Sequence, residues 1–167
     1  AFVGTISANN DKEIGDLIAL AIDRVGKDGA ITIEDSRSRE TTLSLREGFR
    51  FDSGLVSPQF VTDQKRMTAF HGESLMLITD TAVSNVRDLM PVLELAARDG
   101  RPLVIVAEEV KGEALAACIM NAIRHRETGM GMTVSVIKAP RYGEERRAIL
   151  QDLATVTGAT FFSRLSG

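Results

Sequence analysis

The sequence predicts an α/β chain in which a small unit of one helix and two strands precedes parallel βαβ units flanked by helices. Three observations carry this. Short apolar runs recur as LMLITD (Leu75 to Asp80), PLVIVAEE (Pro102 to Glu109) and TVSVIKAP (Thr133 to Pro140), the pattern of strands covered on both faces. Helical periodicities lie between and after them, from Ser84 to Arg98, Gly112 to Arg126 and Glu144 to Thr157. Before Glu47-Gly48 the pattern is different, with one amphipathic helix and then two alternating strands. Strand and helix alternation at this spacing implies parallel βαβ units with right-handed crossovers.

In chain order, Asn9 and Asn10 precede DKEIGDLIALAIDRVGKDG, where Ile14, Leu17, Ile18, Ala21, Ile22 and Val25 fall at helical spacing. Gly26 or Gly29 supplies the stop. AITIEDS and TTLSLREG alternate apolar and polar residues through Ile31, Ile33, Leu43 and Leu45, and the polar SRSRE between them suits a hairpin-like connection. The helix after the first buried strand contains Pro91, which predicts a kink or restart there with Asp88 as N-cap. The last helix is followed by Gly158 and the strand-like ATFFS. RETGMGMT, from Arg126 to Thr133, is predicted to be a mobile loop, because it carries two glycines and no β-branched residue between Thr128 and Thr133.

Composition limits the function classes. The chain has 167 residues, 44% hydrophobic and 26% charged, with a net charge of −3. That is an ordinary globular balance, and its sign argues against a general nucleic-acid binder. No apolar run approaches a membrane span, and the first residues lack the charged and apolar regions of a signal peptide, so the expectation is a cytoplasmic protein with no membrane partner. The single Cys118 lies inside an apolar helix pattern and reads as an inert core thiol.

The most informative segment is GEALAACIMNAIRHR. On a wheel of about 100° per residue its apolar arc runs from Ala114 through Cys118, Ala122, Leu115, Ile119, Ile123 and Ala116 to Met120. Only Glu113, Asn121 and Arg124, with Ala117 between them, form a polar strip. A docked surface helix needs a stripe of about 100°, and this arc covers about two-thirds of a turn. One flank is left over, to be covered by a second layer of protein or used as a binding surface. The preceding helix presents Val86, Leu89, Met90 and Leu93 at i, i+3, i+4 and i+7. Two such helices side by side predict a groove floored by Leu93, Leu115 and Ile119, suited to an extended or helical apolar segment. The alternative is that both stripes are simply core.

Enzymatic readings are weaker. Asp80, Glu108 and Glu109 follow predicted strands and Lys138 ends another, where open α/β sheets place ligands. Clustered there, the carboxylates could hold Mg²⁺ for phosphoryl transfer or phosphoacceptance, with Lys138 neutralising phosphate. The alternative is that they cap and solvate the following helices. Gly129-x-Gly131 does not follow a strand, no Walker A pattern exists, and His71 and His125 have no partner at metal-ligand spacing.

Longer motifs carry a resemblance. VGTISANNDKEIGDLIALAIDRVGKDGAITIED, EGFRFDSGLVSPQF, SNVRDLMPVLELAARDGRPLVIVAEEVKGEALA and KAPRYGEERRAILQDLATVTGAT closely resemble the group I chaperonins (60 kDa chaperonin, GroEL type). The resemblance implies that residues 1–46 are part of an intermediate domain and 47–167 are most of an apical, polypeptide-binding domain whose C-terminal part is missing. It implies a chaperone that binds non-native polypeptides and the mobile loop of a co-chaperonin. The family's ATP and Mg²⁺ site and most ring contacts belong to an equatorial domain outside this sequence. The chain itself is then expected to be no enzyme, to need no cofactor or metal, and to be a monomer or weak oligomer, while the parent forms a homo-oligomeric ring of seven. Carried over by position, the binding surface falls on Leu55, Gln59, Phe60, Met90, Leu93, Leu115, Ile119 and Met120, with Asn121 and Arg124 as polar neighbours and Gly48 as a hinge.

The sequence departs from the family pattern at three places. Gln59 stands where the family usually has tyrosine, which makes that end of the surface more polar. Ser53 replaces an arginine that resembles an inter-subunit salt-bridge partner. The Arg124 to Thr133 segment is longer than usual, and Arg141 interrupts a more glycine-rich pattern.

Overall fold

A computed structural model describes residues 12–25 and 48–163. The chain separates into two compact units, Ala1–Arg50 and Phe51–Gly167. Within the first, α1 spans Lys12–Val25, where the apolar spacing places it. The two strands expected at AITIEDS and TTLSLREG lie outside the described residues.

The second unit is built on a four-stranded parallel sheet of β1 (Leu75–Thr79), β3 (Leu103–Ala107), β5 (Val134–Lys138) and β6 (Phe161–Phe162), in the order β5-β3-β1-β6. Register runs Leu75 to Leu103 and Leu103 to Val134, so the strands start level. All five residues of β3 are buried, as befits the strand between β1 and β5. A second, two-residue parallel pair, β2 (Ala82–Val83) and β4 (Glu109–Val110), leads into the helices that follow. Those are α2 (Val86–Asp99) and α3 (Gly112–Thr128), and α4 (Gly143–Thr157) precedes β6. A 3-10 turn, Pro58–Phe60, precedes β1. The βαβ reading of the sequence is thus the observed fold.

Alternation along the strands divides the core. Leu103, Ile105, Ala107, Val134 and Val136 join Leu89, Leu93 and Ala96 of α2, Ala114 and Cys118 of α3, and Phe60 of the turn in one cluster. α4, with buried Leu150, Leu153 and Ala154, packs against β1 and β6. The β5 edge is covered by chain, since Leu55 bridges Ile137 antiparallel and Val56 N–H donates to the Val136 carbonyl at 2.9 Å.

Two local expectations need correction. α2 runs through Pro91 as one helix, and its cap is Asn85, whose side chain accepts from Arg87 N–H; Asp88 lies in the first turn. Pro91 stands in the second turn at an exposed position, so the carbonyl it leaves unserved is open to water. α3 continues to Thr128 before Gly129 ends it in the left-handed conformation at φ 66°. The expected loop from Arg126 is therefore helix for its first three residues. Thr128 ties its end, donating to the Arg124 carbonyl at 2.7 Å and accepting from Met130 N–H at 3.1 Å.

Candidate functional site

The apolar arc of α3 is buried on one side and exposed at its far edge. Ala114 and Cys118 are fully buried and form the docking ridge. Leu115, Ile119 and Ala122 are half-buried against the core cluster. Beyond them, Ile123 is half-buried, Ala116 is exposed and Met120 is 70% exposed. The polar strip is separate: Asn121 is half-buried with its side-chain amide donating to the Ala117 carbonyl at 2.9 Å, and Arg124 is exposed. α2 lies beside α3 and contributes Met90, 43% exposed, and Leu95, also exposed. No described helix is long and apolar enough to cross a membrane.

Two residues of the expected surface are core. Phe60 is 2% exposed and Leu93 6% exposed, so neither is available as lining; at most they floor the region. Leu55 is half-buried at the β5 edge. Gln59 is exposed, and its side-chain oxygen accepts from the Arg126 guanidinium at 3.1 Å. In the free chain this amide carries no desolvation cost, because it has a partner and faces water. Gly48 adopts φ 121°, a conformation that side chains rarely take, with nothing within 4 Å of a Cβ placed on it. Cavities of about 680 and 440 Å³ lie in the second unit, and neither includes a residue of α2. What α2 and α3 offer is exposed side chains on neighbouring helices.

The acidic constellation is dispersed. The Asp80 side chain, 7% exposed, accepts from Arg147 at 3.1 Å and from the Ser163 hydroxyl at 2.9 Å, which ties the end of β1 to α4 and to the residue after β6. Glu108 pairs with Arg146 at 3.1 Å and Glu109 with Lys111 at 3.1 Å. Each carboxylate has its own cation, and among the described residues no three His, Cys, Asp or Glu side chains come together as a metal site. Lys138 is exposed, and its carbonyl accepts from the Ser53 hydroxyl. These are fastenings of the fold. Arg147→Ala, which removes the guanidinium from the nearly buried Asp80 carboxylate, is expected to cost about 1–3 kcal/mol, read as a lower midpoint of urea unfolding. Cys118 is sealed in the core, and burial raises its thiol to about 11, so it stays protonated at neutral pH.

Sequence reading missed the meeting of His71 and His125, which line the same cavity although one comes from a loop and the other from α3. Nothing in their spacing could have signalled it, since the contact is made by tertiary structure. It also passed over Phe70, 83% exposed, and Met67, 61% exposed, in the segment before β1.

No family model matches the chain. The crystal structure of the chaperonin gp146 from the bacteriophage EL 2 (Pseudomonas aeruginosa), in presence of ATP-BeFx, is similar to it with a TM-score of 0.50 at 16% identity. The match covers 98% of this chain and 32% of that one, so the chain spans about a third of the chaperonin's length. The likeness is one of fold, a mixed α/β arrangement seen within a chaperonin.

Proposed function

We propose that this chain is the polypeptide-capturing part of a chaperonin and that the adjoining faces of α2 and α3 are its binding surface. The observation that carries the reading is the exposure of Met90 on α2 and Met120 on α3, two helices in contact. An unbranched thioether side chain adapts to varied apolar partners, which suits a surface that must accept many sequences. The fold likeness to a chaperonin supports the same reading.

On this reading the chain belongs to the group I, GroEL type. Residues 1–46 would be the intermediate-domain part and 47–167 the apical part, with Gly48 as the hinge between them. A co-chaperonin loop would compete with unfolded polypeptide for the α2–α3 surface. The parent would be a cytoplasmic seven-membered ring driven by ATP and Mg²⁺ bound elsewhere in it. The chain alone would capture without turnover, as a monomer or weak oligomer, and without nucleic acid or membrane as a partner.

The test is capture of a chemically unfolded polypeptide by the purified chain, followed by fluorescence anisotropy. Saturable binding to the unfolded form, absent with the same polypeptide folded, is expected; equal or no binding contradicts the proposal. Gln59→Tyr is expected to tighten capture without loss of fold, because it replaces an exposed hydrogen bond of small net value with apolar area. An unchanged affinity would place Gln59 outside the surface.

A further inference from the structure

His71 and His125 line one cavity of about 440 Å³ at the C-terminal end of α3, walled by Phe60, Ala122 and Val134 among others. The His71 ring nitrogen Nε2 lies 2.5 Å from the Ser135 hydroxyl. Ser135 is buried at 2% exposure, and its hydroxyl donates to the Phe60 carbonyl at 3.5 Å. Neutral His71 and the Ser135 hydroxyl are thus hydrogen-bonded, and either ring tautomer satisfies the pair. Nδ1 of His125 is closed off from solvent and has no hydrogen-bond partner.

The residues lining the cavity offer no counter-charge for a proton on His71. The cavity's remaining charged side chain is Arg126, directed at Gln59. Arg101, next to the lining Pro102, donates to the carbonyls of Glu73 and Ser74. No carboxylate lines the cavity; the acids next to its lining residues are Asp63, which accepts from the Lys65 and Arg66 backbone N–H groups, and the exposed Glu73 and Glu127. A proton taken up by His71 is opposed first by desolvation and then by the neighbouring His125.

We propose that His71, bonded to Ser135 beside His125, is a proton-operated clamp: its neutral ring fastens the 59–72 segment to β5 next to the end of α3, and proton uptake by His71 releases it. Burial first, and the neighbouring His125 second, keep His71 below its ordinary value of 6.5. The sign follows. A lowered folded value means that the open state binds the proton more tightly, so closure is complete above 6.5 and is lost as the pH falls below it. The turn carrying Gln59 and Phe60 would loosen from α3 on acidification. The clamp is independent of whether the α2–α3 surface captures polypeptide.

Amide hydrogen exchange of the whole chain at about pH 7.5 and about pH 5.5, expressed as protection over intrinsic rates, tests the clamp. Residues 59–72 and 122–128 are expected to lose protection severalfold at the lower pH while β1 and β3 keep theirs. His71→Gln retains an N–H donor towards Ser135 and cannot be charged, and it is expected to abolish the pH dependence. His125→Gln is expected to reduce that dependence and to raise the pH at which the His71 ring titrates by NMR. Constant protection in the parent, or variants that lose protection as the parent does, would overturn the proposal. Should a variant fail to fold, the parent ring decides: titration of His71 at or above 6.5 would also overturn it.

Discussion

Met120→Glu is expected to abolish capture of an unfolded polypeptide, and Met90→Glu to weaken it at least about tenfold, with the fold intact in both. Met120 is 70% exposed and Met90 43% exposed, so in the free chain a carboxylate at either position stays in water at little cost. In a complex it would have to be desolvated against apolar client side chains. The lost apolar burial adds about 1.5–3 kcal/mol for a fully covered methionine, and each 1.4 kcal/mol is about tenfold in affinity. Met130→Glu is the control, because Met130 is 66% exposed but lies beyond the Gly129 cap of α3. Anisotropy titration with circular dichroism separates loss of binding from loss of fold. Capture by Met120→Glu equal to the parent's would remove α3 from the site. Leu115 and Ile119 are poorer places for this test, because both pack against the core cluster and a charge there would act on stability first.

Phe60→Ala is expected to be the most destabilising truncation near the site, at about 3–5 kcal/mol. The ring is 2% exposed and joins the core cluster with Cys118 of α3 and Val136 of β5. The 3-10 turn that carries it is fastened by few backbone bonds: Phe60 N–H to the Ser57 carbonyl and Val61 N–H to that of Pro58, both at 3.2 Å. Without the ring the turn loses its anchor, and with it the position of Gln59. Equilibrium unfolding in urea measures the cost. A loss below about 1 kcal/mol would mean that the site collapses around the gap.

Periodicity made the fold legible wherever burial was one-sided or complete. The three apolar runs became β1, β3 and β5, and the glycines after α3 and α4 became their left-handed caps. Pro91 misled because α2 continues through it although it removes one backbone bond, at a position that is exposed to water. At the site, most of the apolar arc of α3 packs on the core, through Ala114, Cys118, Leu115, Ile119 and Ala122, while Ala116 and Met120 are exposed. Spacing could not tell which positional matches are core: Phe60 and Leu93 are buried by β3 and β5 neighbours that lie far away in sequence. The acidic residues after the strands were equally ambiguous, because their partners Arg146 and Arg147 arrive only when α4 folds back. Gln59 was legible only as a more polar residue at its position; its bond to Arg126 joins residues 67 apart in sequence, which spacing cannot show.

The six methionines allow the central claim to be tested in one measurement. With methyl-labelled methionine, an unfolded polypeptide is added to the chain and each methyl resonance is followed by NMR. Met90 and Met120 should shift and broaden together along one saturation curve. Met67 and Met130, which are 61% and 66% exposed and lie off the α2–α3 surface, should not. Shifts confined to Met67 and Met130, or uniform small shifts at all exposed methionines, would contradict capture by α2 and α3.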